Sequence, residues 1–158
     1  MATSERTVDL IFMLYEAARS LETEMAVGLE TVGTTPRSYC VLSKALEADC
    51  TQIDLAKRAG LDKTTMVITV DELEKAGLAE RRPSPSDRRA RIIVVTDKGA
   101  EVVARGREVV DRLYADVLAA LPESERSSFV DGLARLVEDR LANPPQCEKP
   151  LRRRRGSP

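Results

Sequence analysis

A mainly α-helical fold with one small β-hairpin is what the 158 residues predict, on three observations. Apolar residues recur at three- and four-residue spacing along most of the chain, the signature of amphipathic helices. Two short runs, "LAERR" and "RIIVV", read instead as strands that flank a Pro/Ser-rich connection. Aromatic residues make up 3% and charged residues 32%, with no Trp, which favours exposed helices with Leu, Val, Ala and Ile cores over a sheet sandwich.

Residues 5–27 form the first expected helix, with Val8, Ile11, Phe12, Tyr15, Ala18, Leu21 and Met25 on one face and Gly28 as its breaker. Pro36 suits the first turn of a second helix over 36–47, with Tyr39, Leu42, Ala45 and Leu46 inward. Thr51 and Asp54 have the spacing of a capping box ahead of Ile53, Leu55, Ala56 and Ala59, and Gly60 ends that helix. Asp62 then caps a helix to about Ala76 that buries Met66, Val70 and Leu73. Two helices joined by a short Gly-containing turn make a helix-turn-helix pattern, a weak signal by itself. The hairpin strengthens it, because Pro83–Ala90 is longer than most hairpin connections. Thr96 and Asp97 cap a long helix over about 98–120, and a last helix restarts after Pro122 with Phe129, Leu133, Leu136, Val137 and Leu141 apolar.

Charge and composition narrow the function. The net charge is −1, so an anion-binding surface must come from local asymmetry. Between Leu78 and Arg91 stand Arg81, Arg82, Arg88, Arg89 and Arg91 against only Glu80 and Asp87. A second basic stretch, Arg152 to Arg155 with Lys149, lies in a Pro-rich tail expected to be disordered. The absence of histidine removes Ser-His and Cys-His nucleophile pairs and His-ligated metals. Cys40, Cys50 and Cys147 are widely spaced with no CxxC pair, which argues against a zinc ribbon. No metal or cofactor is expected, and an enzyme is not: there is no phosphate loop and no clustered acid pair. No apolar run approaches bilayer length, so the expectation is a cytoplasmic protein without a membrane partner.

Helix-turn-helix plus basic hairpin makes a winged helix-turn-helix, spanning residues 36–97. The first turn of the second helix, with Lys63, Thr64 and Thr65, would meet phosphates and base edges in a major groove. Ile68 faces away from the buried stripe and suits a thymine methyl. Guanidinium groups on the wing suit a narrow minor groove, and Asp87 either shapes the tip as an Asx-turn or holds one guanidinium in a bidentate pair. The expected DNA-binding set is Thr51, Lys63, Thr64, Thr65, Ile68, Thr69, Arg81, Asp87, Arg88, Arg89 and Arg91. The apolar faces over 5–35 and 98–141 exceed what so small a winged domain covers; they close an intramolecular bundle or pair two subunits as a homodimer. A two-fold protein would read a palindrome with half-sites about 34 Å apart.

The segment "LEKAGLAERRPSPSDRRARIIVVTDKG", with "LAKRAGLDKTTMVITVDELEKAG" before it and long helices on both sides, resembles the MarR family (multiple antibiotic resistance regulators) over roughly residues 5–141. The resemblance implies a single unit over 1–141 in which the terminal helices dimerise, with 142–158 as a basic tail. It implies a homodimer bound to a palindromic double-stranded DNA operator, usually as a repressor. The wing arginine matching Arg88 or Arg89 would enter the minor groove, braced by Asp87. It also implies release by a small aromatic or phenolic effector in a cleft beside the dimerisation helices, for which Phe12, Tyr15, Arg19, Arg37 and Tyr39 are plausible linings on spacing alone. One departure stands out: where members often read "STVTRLVDRLE", this chain has "TTMVITVDELE", placing Ile68 and Glu72 at frequently basic positions. More of the grip on DNA would then rest on the wing. Two alternatives remain: a thiol-redox regulator using Cys40, and a winged-helix protein-interaction module.

Overall fold

The computed structural model describes residues 9–85, 87 and 90–143 and falls into two units, residues 1–115 and 116–158. In the first unit, helix α1 (Leu10–Glu30) starts where the Asp9 side chain accepts a hydrogen bond from the Phe12 N–H at 2.9 Å. It does not stop at Gly28. That glycine lies inside the helix, and a Cβ there would stand 2.6 Å from Val109 Cγ1, so it is a site of close helix approach. The turn falls at Gly33, with φ of 76°.

Helix α2 (Pro36–Glu47) is capped by Thr35, whose hydroxyl oxygen accepts from the Ser38 N–H, with Pro36 in its first turn as expected. Its inward residues are Val41, Leu42 and Ala45; Leu46, expected inward, is exposed. Helix α3 (Gln52–Arg58) buries Leu55 and Ala56 but leaves Ile53 exposed, another departure from the apolar face read in the sequence. A helix of about two turns is too short for spacing alone to fix which apolar residue faces in. Helix α4 (Lys63–Lys75) buries Met66, Thr69, Val70 and Leu73.

Strands β1 (Ala79–Pro83) and β2 (Arg91–Val95) pair antiparallel in a register that sets Ala79 opposite Val95 and Pro83 opposite Arg91. Pro83 therefore ends a strand instead of opening the connection, a place where its missing N–H is tolerated. Thr51 bridges Ile92 from the other side, tying the start of α3 to the hairpin. The core runs through α2, α3, α4 and the hairpin, with Leu42, Leu55, Met66, Val70, Leu73 and Ile93 among its members, and closes on Val102 and Val103.

Helix α5 (Asp97–Ala119) is capped by Thr96 alone. Its hydroxyl donates to the Gly77 carbonyl at 2.7 Å and accepts from the Gly99 N–H at 3.1 Å. Lys98 Nζ donates to the Ala76 carbonyl at 2.8 Å, placing a cation on the negative end of α4. The C-terminal end of α4 is thereby anchored to the start of α5. In the second unit, α6 (Glu123–Arg135) continues into a π-helical turn, Leu136–Arg140, and has no buried residue. Arg126 donates to the Leu121 and Ala119 carbonyls at the end of α5. Among the described residues no helix is long and apolar enough to cross a membrane. The expected disordered tail falls, from residue 144 onward, outside the described residues.

Candidate nucleic-acid interface

The amino-terminal turn of α4 is built by Asp62. Its carboxylate accepts from the Thr65 N–H at 2.9 Å and from the Thr65 hydroxyl at 2.6 Å. Those two bonds, the hydroxyl first, hold the Asp62 carboxyl below the ordinary carboxylate range. Thr65 is therefore spent on its own cap and half-buried, whereas Lys63 and Thr64 stand exposed beside it. Ile68, one turn on, is 49% exposed and lies on the same open side.

Thr51 is likewise a capping residue, with its hydroxyl donating to Asp54 Oδ2 at 2.7 Å and accepting from the Asp54 N–H at 3.2 Å. The carboxylate accepts this hydrogen bond from the hydroxyl, where a full capping box would have it accept from the Thr51 N–H.

Two residues of the expected DNA-binding set are corrected. Thr69 is 0% exposed, and its hydroxyl donates to the Thr65 carbonyl at 2.8 Å within the core, so it faces no groove. It sits three residues after Met66, on the stripe that α4 turns inward, where a hydroxyl is tolerated because its own helix satisfies it. Arg81 is also turned inward. Its Nε donates to Gln52 Oε1 at 3.1 Å, its Nη2 to Asp71 Oδ1 at 2.7 Å and its Nη1 to Glu74 Oε2. The sequence could show a basic strand residue but not the two carboxylates waiting for it one and two turns back on α4.

Beyond Pro83 the wing closes on itself. The Ser84 N–H donates to the Ala90 carbonyl, and the Ala90 N–H to the Asp87 carbonyl, each at 3.0 Å. Asp87 and Arg91 are exposed, with Arg91 at the first position of β2. Arg88 and Arg89, the residues expected to probe the minor groove, lie outside the described residues, as does Ser86.

Two cavities lie beside α2. One of about 590 Å³ is walled by Glu22 and Met25 of α1, Arg37 and Cys40 of α2, Leu61 in the turn before α4, and Glu72 in the second half of α4. The other, of about 360 Å³, shares Met25 and Cys40 and adds Tyr39, Arg107 and Tyr114. Of the expected effector-lining residues, Arg37 and Tyr39 line these cavities. Phe12, Tyr15 and Arg19 line neither: the first two are exposed on the open half of α1, and Arg19 pairs with Glu16 at 3.0 Å. Helical spacing picked the face of α1 but not how far along it the packing begins. Glu22, Met25 and Glu72 were missed; a cavity wall assembled from three elements leaves no local signal. Burial pushes the Cys40 thiol above its ordinary value, with Glu47 adding to the rise and Lys44 opposing it.

A capped helix behind a tight turn, followed by a two-stranded hairpin that bridges back to the first helix, defines a winged helix-turn-helix regulator fold. The sequence profile of the MarR family matches residues 32–90. CouR from Rhodococcus jostii RHA1, solved bound to p-coumaroyl-CoA, is 30% identical over 89% of this chain and 96% of its own, with a TM-score of 0.73. The transcriptional repressor CouR bound to a 23-mer DNA duplex shows 28% identity over 87% of this chain and 98% of its own, with a TM-score of 0.75. A MarR-family transcriptional regulator from Rhodococcus sp. RHA1 is 28% identical over 81% of this chain and 91% of its own, at 0.73. The chain belongs to the MarR family of transcriptional regulators.

Proposed function

We propose that the protein is a cytoplasmic homodimer that represses transcription from a palindromic operator and leaves it when an aromatic effector binds. The observation that carries this reading is the exposed first turn of α4, Lys63 and Thr64, set on a core-anchored helix directly ahead of a hairpin whose connection holds Arg88 and Arg89. Helix start and wing would take the major and minor grooves together. The DNA complex of CouR supports it.

Dimerisation follows from faces that the chain leaves open. Ile11 is 82% exposed with Leu10, Phe12 and Met13 beside it, and Phe129 and Val137 are exposed near the other end. Exposed apolar faces of this kind mark an interface.

The larger cavity is the effector site. Its wall includes Glu72 of α4 and Leu61 of the turn before it, so a bound molecule touches the DNA-reading helix itself. An effector that prefers a dimer with displaced α4 helices weakens operator binding by that preference and no more. The p-coumaroyl-CoA complex of CouR supports an aromatic ligand class.

A gel shift with DNA from upstream of the protein's own gene tests the reading. Arg88→Ala and Arg89→Ala should each weaken binding by roughly 1–3 kcal/mol, several-fold to a hundredfold. Unchanged binding in both at physiological salt overturns the wing assignment. The exposed carboxylates Asp71 and Glu72 on α4 favour one competing reading, a protein-interaction module; it predicts only weak, sequence-independent retention of DNA.

A further inference from the structure

We propose that Arg81 is a positioning residue for DNA binding: a clamp that fixes the wing to the recognition helix and does not itself touch phosphate. The proposal rests on the DNA-binding reading above and assigns Arg81 a role different from that of the other wing-region arginines.

Three elements converge on this one side chain. Gln52 belongs to the first turn of α3, Asp71 and Glu74 to the second half of α4, and Arg81 to the middle of β1. Three of the five guanidinium N–H donors are taken, one by each partner. The main chain joins in, since the Arg81 N–H donates to Glu74 Oε1 at 2.8 Å. Glu74 thus holds both the backbone and the side chain of the same strand residue. That contact also covers the outer edge of β1, which has no strand beyond it among the described residues.

The charge arrangement argues against a phosphate contact. A guanidinium facing two carboxylates has its charge already compensated, and its side chain is only 24% exposed, so it offers little to a phosphate. Arg82, the next residue, illustrates the contrast: it is exposed and pairs only with Glu80, two residues away on its own strand. A planar fork with several donors is suited to holding separate acceptors in fixed directions, which an ammonium is not.

The mechanical consequence follows from where the clamp sits. α4 carries Lys63 and Thr64 at one end, and β1 leads into the wing. Simultaneous entry of helix and wing into neighbouring grooves requires a fixed angle between them, and Arg81 joins the two directly. Loosening the clamp costs affinity because one of the two insertions then has to be found again on each binding event.

Salt dependence separates a clamp from a contact. The experiment measures affinity for the operator fragment against salt for the wild type, Arg81→Gln, Glu74→Gln, the double variant and Lys63→Ala. Arg81→Gln and Glu74→Gln should each weaken binding by about tenfold, a coupling typical of groups in one network, with the double variant no more than about twofold worse than either. Their salt slopes should match the wild type, whereas Lys63→Ala should lower the slope by about one. Glu74→Gln decides the matter, because removing a negative charge near DNA tightens binding if only the electrostatic field counts.

Asp71→Asn, at the exposed end of the clamp, covers the case in which the inner variants unfold. It should weaken binding by about two- to threefold, where the field alone predicts a gain. Glu74→Gln or Asp71→Asn binding as tightly as the wild type or tighter, or a slope reduced by one in Arg81→Gln, overturns the clamp. A wild type that retains no operator overturns the DNA reading itself, and the clamp with it.

Discussion

Between residues 36 and 103 the apolar stripes of four helices and a hairpin close on one another, while α6 has no buried residue and the first turns of α1 lie open. Both regions carry comparable apolar patterns in the sequence. What separates them is partners: the winged region folds its own faces together, and the terminal helices present theirs outward. The lesson is that an amphipathic stripe states that a surface is to be covered, not by which chain. The winged region should therefore behave as a self-sufficient unit and the terminal helices as a surface awaiting a second copy.

Truncating the core tests the first half of that statement with the largest effect. Leu73 is 2% exposed on the inner face of α4. Leu73→Ala should destabilise the protein by about 2–5 kcal/mol, the cost of lost transfer energy plus the cavity left behind. Chemical denaturation reads this directly. If the comparison holds, the loss should be the same at low and high protein concentration. A loss that vanishes at high concentration would mean that the winged region, too, depends on its partner.

A charge on the open face tests the second half. Phe129 is 53% exposed and Ile11 is 82% exposed. Phe129→Glu and Ile11→Glu should leave the fold of the winged region intact, as read by the near-ultraviolet and far-ultraviolet circular dichroism of a dilute sample. In sedimentation they should shift the protein toward monomer, and the melting temperature should lose its dependence on concentration. Both variants sedimenting as the wild type does would show that these faces are not the interface.

The same contrast explains what could be read from the sequence. Helices with strong local punctuation were legible: Pro36, Thr51, Asp62 and Gly60 all stand where the caps and turns are, because capping chemistry acts over three residues. The hairpin was legible to within one residue. Gly28 was misread because a glycine inside a helix and one ending it look alike until the neighbour at Val109 is known. Thr69 and Arg81 were misread for the same reason. A polar residue on a predicted DNA face was assumed to point outward, and only tertiary structure shows the hydroxyl turned into the core and the guanidinium turned onto α4. The cavity wall was the least legible feature, since Glu22, Arg37 and Glu72 come from three helices and share no motif.

The smallest effect is expected at Cys40, which lies where the two kinds of surface meet: on α2, in the wall of both cavities, half-buried. Burial raises its pKa above the ordinary 9.0, so the neutral thiol is the favoured form in the folded protein. The sign follows. A group whose folded value is raised contributes stability fully present below its unfolded value and lost as pH rises through the folded one. At neutral pH that contribution is intact and the nucleophilic thiolate is scarce. Alkylation of Cys40 by iodoacetamide, located by mass spectrometry, should be slower than that of a free cysteine at the same neutral pH, and the gap should narrow as the solution is made alkaline. Peroxide should accordingly release operator DNA equally from the wild type and from Cys40→Ser. Faster release from the wild type would make Cys40 a switch, and would mean that the cavity wall reports oxidation as well as a bound effector.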